Sequence, residues 1–167
     1  MTHRWIDLVR NSDPLTTLYS TVPPLNAVRL RSIHLNWRGP TLTLRMDLPS
    51  FPDNAPADWV ESGNDTFQCH LQFLAVNNFR MSAWRPPLLA DISISSVRDR
   101  QISVSATGVE DIFSFDSSDS ILVGHMSAFT GCDTGRDTGP RNFLGRVDSR
   151  RFTSLPNTYE KTFYEHL

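Results

Sequence analysis

Residues Thr41 to Leu48, TLTLRMDL, alternate polar and apolar at every step, and the next eight residues contain Pro49, Pro52 and Pro56. Period two places Leu42, Leu44, Met46 and Leu48 on one face of a strand and Thr41, Thr43, Arg45 and Asp47 on the other. Gly39-Pro40 in front reads as the turn that enters it. Each proline lacks a backbone N–H and pushes its predecessor toward extended geometry, so the second half of Gly39–Trp59 is expected to be neither strand nor helix. A regular strand thus runs into a stiff, acidic loop ending on Trp59. Such a loop loses little entropy when a partner orders it, which makes it a candidate binding element. The alternative is that the prolines protect a sheet edge and Trp59 belongs to the core.

The rest of the chain repeats the strand signal. Two short helices are expected first: Trp5, Leu8 and Val9 share a helix face, and Asp13-Pro14 reads as an N-cap and first helical position before Leu15, Leu18 and Tyr19. Pro23-Pro24 stops them. Ala27–Trp37 is a strand whose apolar phase slips near Arg31-Ser32, the mark of a β-bulge or of burial on both faces. A short turn joins it to Thr41–Leu48 as an antiparallel hairpin. Thr66–Val76 follows, with Phe67, Cys69, Leu71 and Phe73 on one face and Gln68, His70 and Gln72 on the other. Asn77-Asn78 suits a hairpin turn into a return strand, Phe79–Trp84. Asp91–Ser96, Gln101–Thr107, Asp111–Asp116 and Ile121–Phe129 complete about eight strands. The expected fold is mostly β: an antiparallel β-sandwich or strongly curved sheet with one or two short N-terminal helices. Residues 1–130 are expected to form a single domain. Gly131–Arg151 is glycine-rich and without periodicity, so 131–167 reads as a flexible extension. Tyr159, Phe163 and Leu167 are spaced for a helical turn or two at its end, with docking left open.

A net charge of −2 gives no global basic field to gather nucleic acid. No apolar run is long enough to span a membrane and no secretory leader pattern opens the chain, so a soluble, cytoplasmic protein is expected. Charge placement is more telling. No Lys or Arg lies between Arg45 and Arg80, where Asp47, Asp53, Asp58, Glu61 and Asp65 all fall. A second such stretch holds Glu110, Asp111, Asp116 and Asp119. An acidic loop with aromatics can present carboxylates to a basic partner, a nuclease-like domain for instance. Trp5, Trp37 and Trp84 are read as core; Trp59 closes the acidic loop and is the candidate interface anchor.

Catalysis finds little footing. Cys69 and Cys132 differ in context and have neither disulfide nor metal spacing. His34, His70 and His125 would make a metal site only if their three strands were neighbours. The sequence has no nucleophile elbow, no phosphate loop and no EF-hand. No cofactor and no enzymatic activity are expected.

Several stretches resemble one family. Trp5–Leu8, Val28–Leu30, Gly39–Arg45, Asp47-Leu48-Pro49, Phe51-Pro52, Pro56, Trp59 and then Asn64, Thr66 and Gln68 resemble the immunity protein 50 family of bacterial polymorphic toxin systems. The resemblance spans Trp5 to Phe129 and is most specific at Gly39–Trp59. Ala83 departs from it, standing before Trp84 where the pattern has Gly. The resemblance implies a mostly-β protein that binds and neutralises a cognate secreted toxin domain, and it carries over no catalytic residue. The expected contact surface is Asp47, Phe51, Asp53, Asp58, Trp59, Glu61 and Asp65. The rival reading is a carbohydrate- or small-ligand-binding β-sandwich that stacks its ligand on Trp59 and Trp84.

Overall fold

The computed structural model describes residues 4–132, 134–137 and 139–144. A 3₁₀ turn (Trp5–Leu8) and helix α1 (Asp13–Leu18) lead into β1 (Val28–Asn36) and β2 (Thr41–Asp47). Helix α2 (Ala57–Glu61) follows the proline loop. Then come β3 (Thr66–Leu74), β4 (Asn77–Met81), β5 (Leu88–Arg98), β6 (Gln101–Thr107), β7 (Asp111–Ser118), β8 (Ile121–Phe129) and β9 (Arg141–Phe143). The nine strands of the described residues form one open antiparallel sheet in the order β4-β7-β6-β5-β1-β2-β3-β8-β9.

The sheet is waisted at its middle. β1 and β5 pair over only Val28–Leu30 and Leu88–Ala90, whereas β1 and β2 pair from Arg29 to Asn36. On either side of that waist the sheet curls on itself. Phe73 of β3 and Phe115 of β7, far apart in strand order, meet edge to face at 5.0 Å. The core fills the space between, and the alternation read from the sequence places Leu42, Leu44, Met46, Phe67, Leu71, Val104 and Phe115 in it. Two bulges shape the strands. The β1–β2 register shifts between Leu30 and Ser32, leaving Arg31 as the extra residue where the apolar phase slips. The β3–β8 register shifts beside His125, which has φ +48°.

The N-terminal segment closes one end of the core. Trp5, Leu15, Leu18 and Tyr19 are buried, Trp5 Nε1 donates to the Pro23 carbonyl at 2.9 Å, and the Tyr19 hydroxyl donates to the Ser50 carbonyl at 2.6 Å. The two aromatic polar atoms are thereby satisfied inside, as burial requires.

Three expectations are corrected. The acidic loop does contain a helix, α2, which starts directly after Pro56. A proline at a helix N-terminus costs nothing there, because the first N–H groups have no intrahelical partner. β4 does not return alongside β3: it pairs with β7 at the opposite end of the sheet, and Asn77 and Asn78 lie inside it. Residues 131–144 are not without regular structure, since β9 adds to β8 through Phe143–Ser127 and Arg141–Phe129. Tyr159–Leu167 lies outside the described residues.

Candidate functional site

The proline loop and α2 divide into an inside and an outside. Inside, Trp59 is 1% exposed and packs at 6.1 Å from Phe67 and 6.3 Å from Phe51. Phe51 is half-buried, tilted against that indole. Outside, α2 shows Asp58, Val60 and Glu61 to solvent, and Val60 is 62% exposed although apolar. Neither Asp58 nor Glu61 forms an ion pair among the described residues.

The loop is pinned at several points, so these side chains stand on a fixed frame. Asp53 accepts the Ser20 N–H at 2.9 Å and the Ser20 hydroxyl, and these bonds hold its carboxyl below the usual carboxylate range. The Asn54 N–H donates to the Leu18 carbonyl at 2.9 Å. Asp65 accepts the Thr66 hydroxyl at 2.8 Å and the Gly131 N–H at 2.7 Å. Asn142 of β9 donates to the Asp58 carbonyl at 3.3 Å and the Ser62 hydroxyl at 3.0 Å. Asp53, Asp58, Glu61 and Asp65 therefore share one exposed acidic stretch that Ser20, Thr66 and Asn142 hold in place.

Two expected contact residues are not on that surface. Trp59 is core, so it offers neither an interface anchor nor a stacking face for a sugar. Asp47 is 4% exposed and forms a buried ion pair with Arg31, also accepting from Gln68 Nε2 at 2.7 Å. The most exposed tryptophan is instead Trp37, 78% exposed at the β1–β2 turn with the Arg38 guanidinium stacked 5.0 Å over its ring. The sequence reading assigned it to the core.

Asp47 belongs to a buried polar network that the sequence did not announce. Arg45 Nη1 donates to Asp137 at 2.8 Å, and Gln68 Nε2 bridges Asp47 and Asp137. Arg141 of β9 donates to Gln68 Oε1 at 3.1 Å, to the Ser127 hydroxyl at 3.0 Å and to the Asp137 carbonyl at 2.7 Å. The Phe129 ring lies 4.9 Å from the Arg141 guanidinium. Burial alone would raise the Asp137 carboxyl, but the Gln68 bond and Arg45, Arg31 and Arg141 outweigh it and hold it below the usual range. Burial is also the largest influence on Arg141, lowering it despite Asp137. The network spans β1, β2, β3 and β8 and fastens the segment carrying Asp137 and Arg141 across them. Its only sequence signal was the run of polar residues on alternate positions, Arg45 and Asp47 on β2 and Gln68 and His70 on β3, which reads as a solvent-facing side until something covers it.

Of the three candidate metal histidines, the fold brings two together. The His70 and His125 rings lie 4.9 Å apart. His34 pairs with Thr43, away from Arg45, the β2 partner of His70. The described residues hold no group of three His, Cys, Asp or Glu arranged for a metal. Desolvation, then His125, Arg45 and Arg141, hold the His70 imidazole well below its usual range, so the neutral form is favoured and the two guanidinium groups oppose a cation beside it. Cys69 is fully buried with its thiol pushed up by desolvation, a poor nucleophile. No helix among the described residues is long and apolar enough to cross a membrane.

A family model described as Immunity protein 50 matches residues 11–119, more than half of the chain. Searches of curated proteins and of solved structures found no significant match.

Proposed function

The chain belongs to the immunity protein 50 family, and on that premise we propose that it binds and neutralises a cognate polymorphic toxin domain by direct protein–protein contact. The observation that carries the reading is the acidic stretch around α2, where Asp58 and Glu61 flank an exposed Val60 with no internal counter-charge among the described residues. An exposed carboxylate without an internal partner contributes little to the fold. Here Asp58 and Glu61 are left outward on a pinned frame, which lowers the ordering cost of binding. The complementary surface is basic, as in a nuclease-like toxin domain whose substrate is itself an anion. Asp53 and Asp65 extend the acidic field, and Phe51 and Trp59 act from beneath, supporting α2. The protein acts without a cofactor in the cytoplasm of the producing cell, occluding the toxin rather than modifying it.

The test is co-purification with the product of the gene immediately upstream, followed by toxin-activity assays on the complex. A stoichiometric complex with suppressed activity is the expected result. Well-folded protein that neither binds nor protects would defeat the reading, and saturable binding on a glycan panel would move the weight to the ligand-binding alternative.

A further inference from the structure

A cleft of about 340 Å³ opens between the first residues of β1, Pro49 and the loop that leaves β8. Its charged wall is Arg29, Arg31, Asp47 and Arg136, and Leu48, Pro49 and Leu89 supply apolar wall. Arg31 is already committed: it holds Asp47 and donates to the Gly135 carbonyl. Arg29 stands opposite Asp47 in the β1–β2 ladder, yet the Asp47 oxygens are taken by Arg31 and Gln68. Neither Arg29 nor Arg136 has an ion pair among the described residues.

Gly135 is what lets these cations gather. Its φ is +73°, and a Cβ there would lie 2.7 Å from Arg29 Nη1. Two guanidinium groups thus close on one glycine, Arg31 on its carbonyl and Arg29 on its α-carbon. Asp47, the carboxylate in the lining, is committed to Arg31, which leaves Arg29 and Arg136 without a counter-ion among the described residues. A half-enclosed cleft with excess positive charge concentrates anions, and the guanidinium fork matches the paired oxygens of a carboxylate or phosphate.

We propose that this cleft is an oxyanion-binding site, with Arg29 and Arg136, which have no ion pair among the described residues, as the donors and the locked Arg31 as a fixed positive wall. The ligand chemistry is that shared by free phosphate and by the carboxylate of a peptide side chain. The cleft adjoins the acidic stretch at Thr66 and Gly131, both bonded to Asp65, but its donors Arg29 and Arg136 are not part of that surface.

The test uses the full chain at low ionic strength, where screening is weak. One arm titrates sodium phosphate and the other N-acetylglutamate amide, each followed by calorimetry and by amide chemical shifts. Saturable binding with shifts at Arg29, Gly135 and Arg136 is expected. Arg29→Ala and Arg136→Ala should each weaken it by at least about tenfold. Arg29→Lys, which keeps the charge and loses the fork, should fall between, and it serves if Arg29→Ala fails to fold. Arg98→Ala, on the exposed far end of β5, should bind like the parent. Tighter phosphate binding identifies a free phosphate ligand, and tighter glutamate binding a peptide carboxylate; either supports the site. No saturable binding in either arm, or unchanged affinity in Arg29→Lys, overturns the proposal.

Discussion

The acidic stretch around α2 and the polar network beneath β9 are built from the same residue types, yet they do opposite things. In the network, Asp47 and Asp137 are surrounded by Arg31, Arg45, Arg141 and Gln68, and each of these side chains is hydrogen-bonded or ion-paired. Around α2, Asp58 and Glu61 have no cationic partner among the described residues. The difference separates structural charge from available charge. Ions buried against their counter-ions fasten Asp137 and Arg141 to the sheet. Ions left outward on a pinned helix cost the fold little and remain free to meet another molecule.

The largest effects should come from splitting the buried pair. Arg31→Ala leaves Asp47 buried without its ion and should destabilise by about 3–5 kcal/mol, read from urea unfolding. Trp59→Ala empties the site beneath α2 and should cost a similar amount, about 3–5 kcal/mol. A neutral outcome for either would erase the distinction between the two regions. By contrast, the α2 double variant Asp58→Asn/Glu61→Gln should leave the unfolding midpoint near that of the parent.

Acid should find the network before it finds the helix. His70 is held neutral in the fold, while in the unfolded chain it titrates near its ordinary value of 6.5. Above that pH neither state takes the proton. Below it only the unfolded state does, so stability should fall as pH drops from 6.5, by up to about 1.4 kcal/mol per pH unit. The stabilisation of the Asp137 carboxylate is complete above the ordinary value of 3.8 and is lost as pH falls further, through its lowered folded value. Urea midpoints between pH 8 and pH 3 should show both phases, and His70→Gln should flatten the first. A first phase unchanged in His70→Gln would place the acid sensitivity elsewhere.

The smallest effect sharpens the contrast from the other side. Val60→Ser removes only an exposed apolar group. It should leave stability within about 0.5 kcal/mol of the parent. A measurable loss of toxin affinity in the same variant would mark Val60 as interface.

The sequence carried the strands far better than their neighbours. Gln101–Thr107 and Ile121–Phe129 were read with the observed limits, and the slip at Arg31 was legible because a bulge shifts the apolar phase. Period two says that a residue run is a strand with a buried face, but it does not name the strand beside it. That is why the expected β3–β4 hairpin gave way to β4 pairing with β7. Single tryptophans were equally mute: Trp59 went in and Trp37 out, because burial is set by Phe51, Phe67 and the turn geometry rather than by the indole itself. Of the candidate site, the acidic residues after Pro52 were legible as an uncompensated charge run. Asp47 was not, because the residues that neutralise and bond it, Arg31 through a bulge and Gln68 and Arg141 from elsewhere, reach it by non-local interactions with no periodic signature.

The most direct measurement is the calorimetric affinity of the proposed toxin partner, the product of the gene immediately upstream, for the parent and for Asp58→Asn/Glu61→Gln, at low and at high salt. The account predicts that the double variant keeps its fold, binds at least about tenfold more weakly, and loses much of the parent's salt dependence. Equal affinity and equal salt dependence in a folded double variant would contradict it and place the interface away from α2.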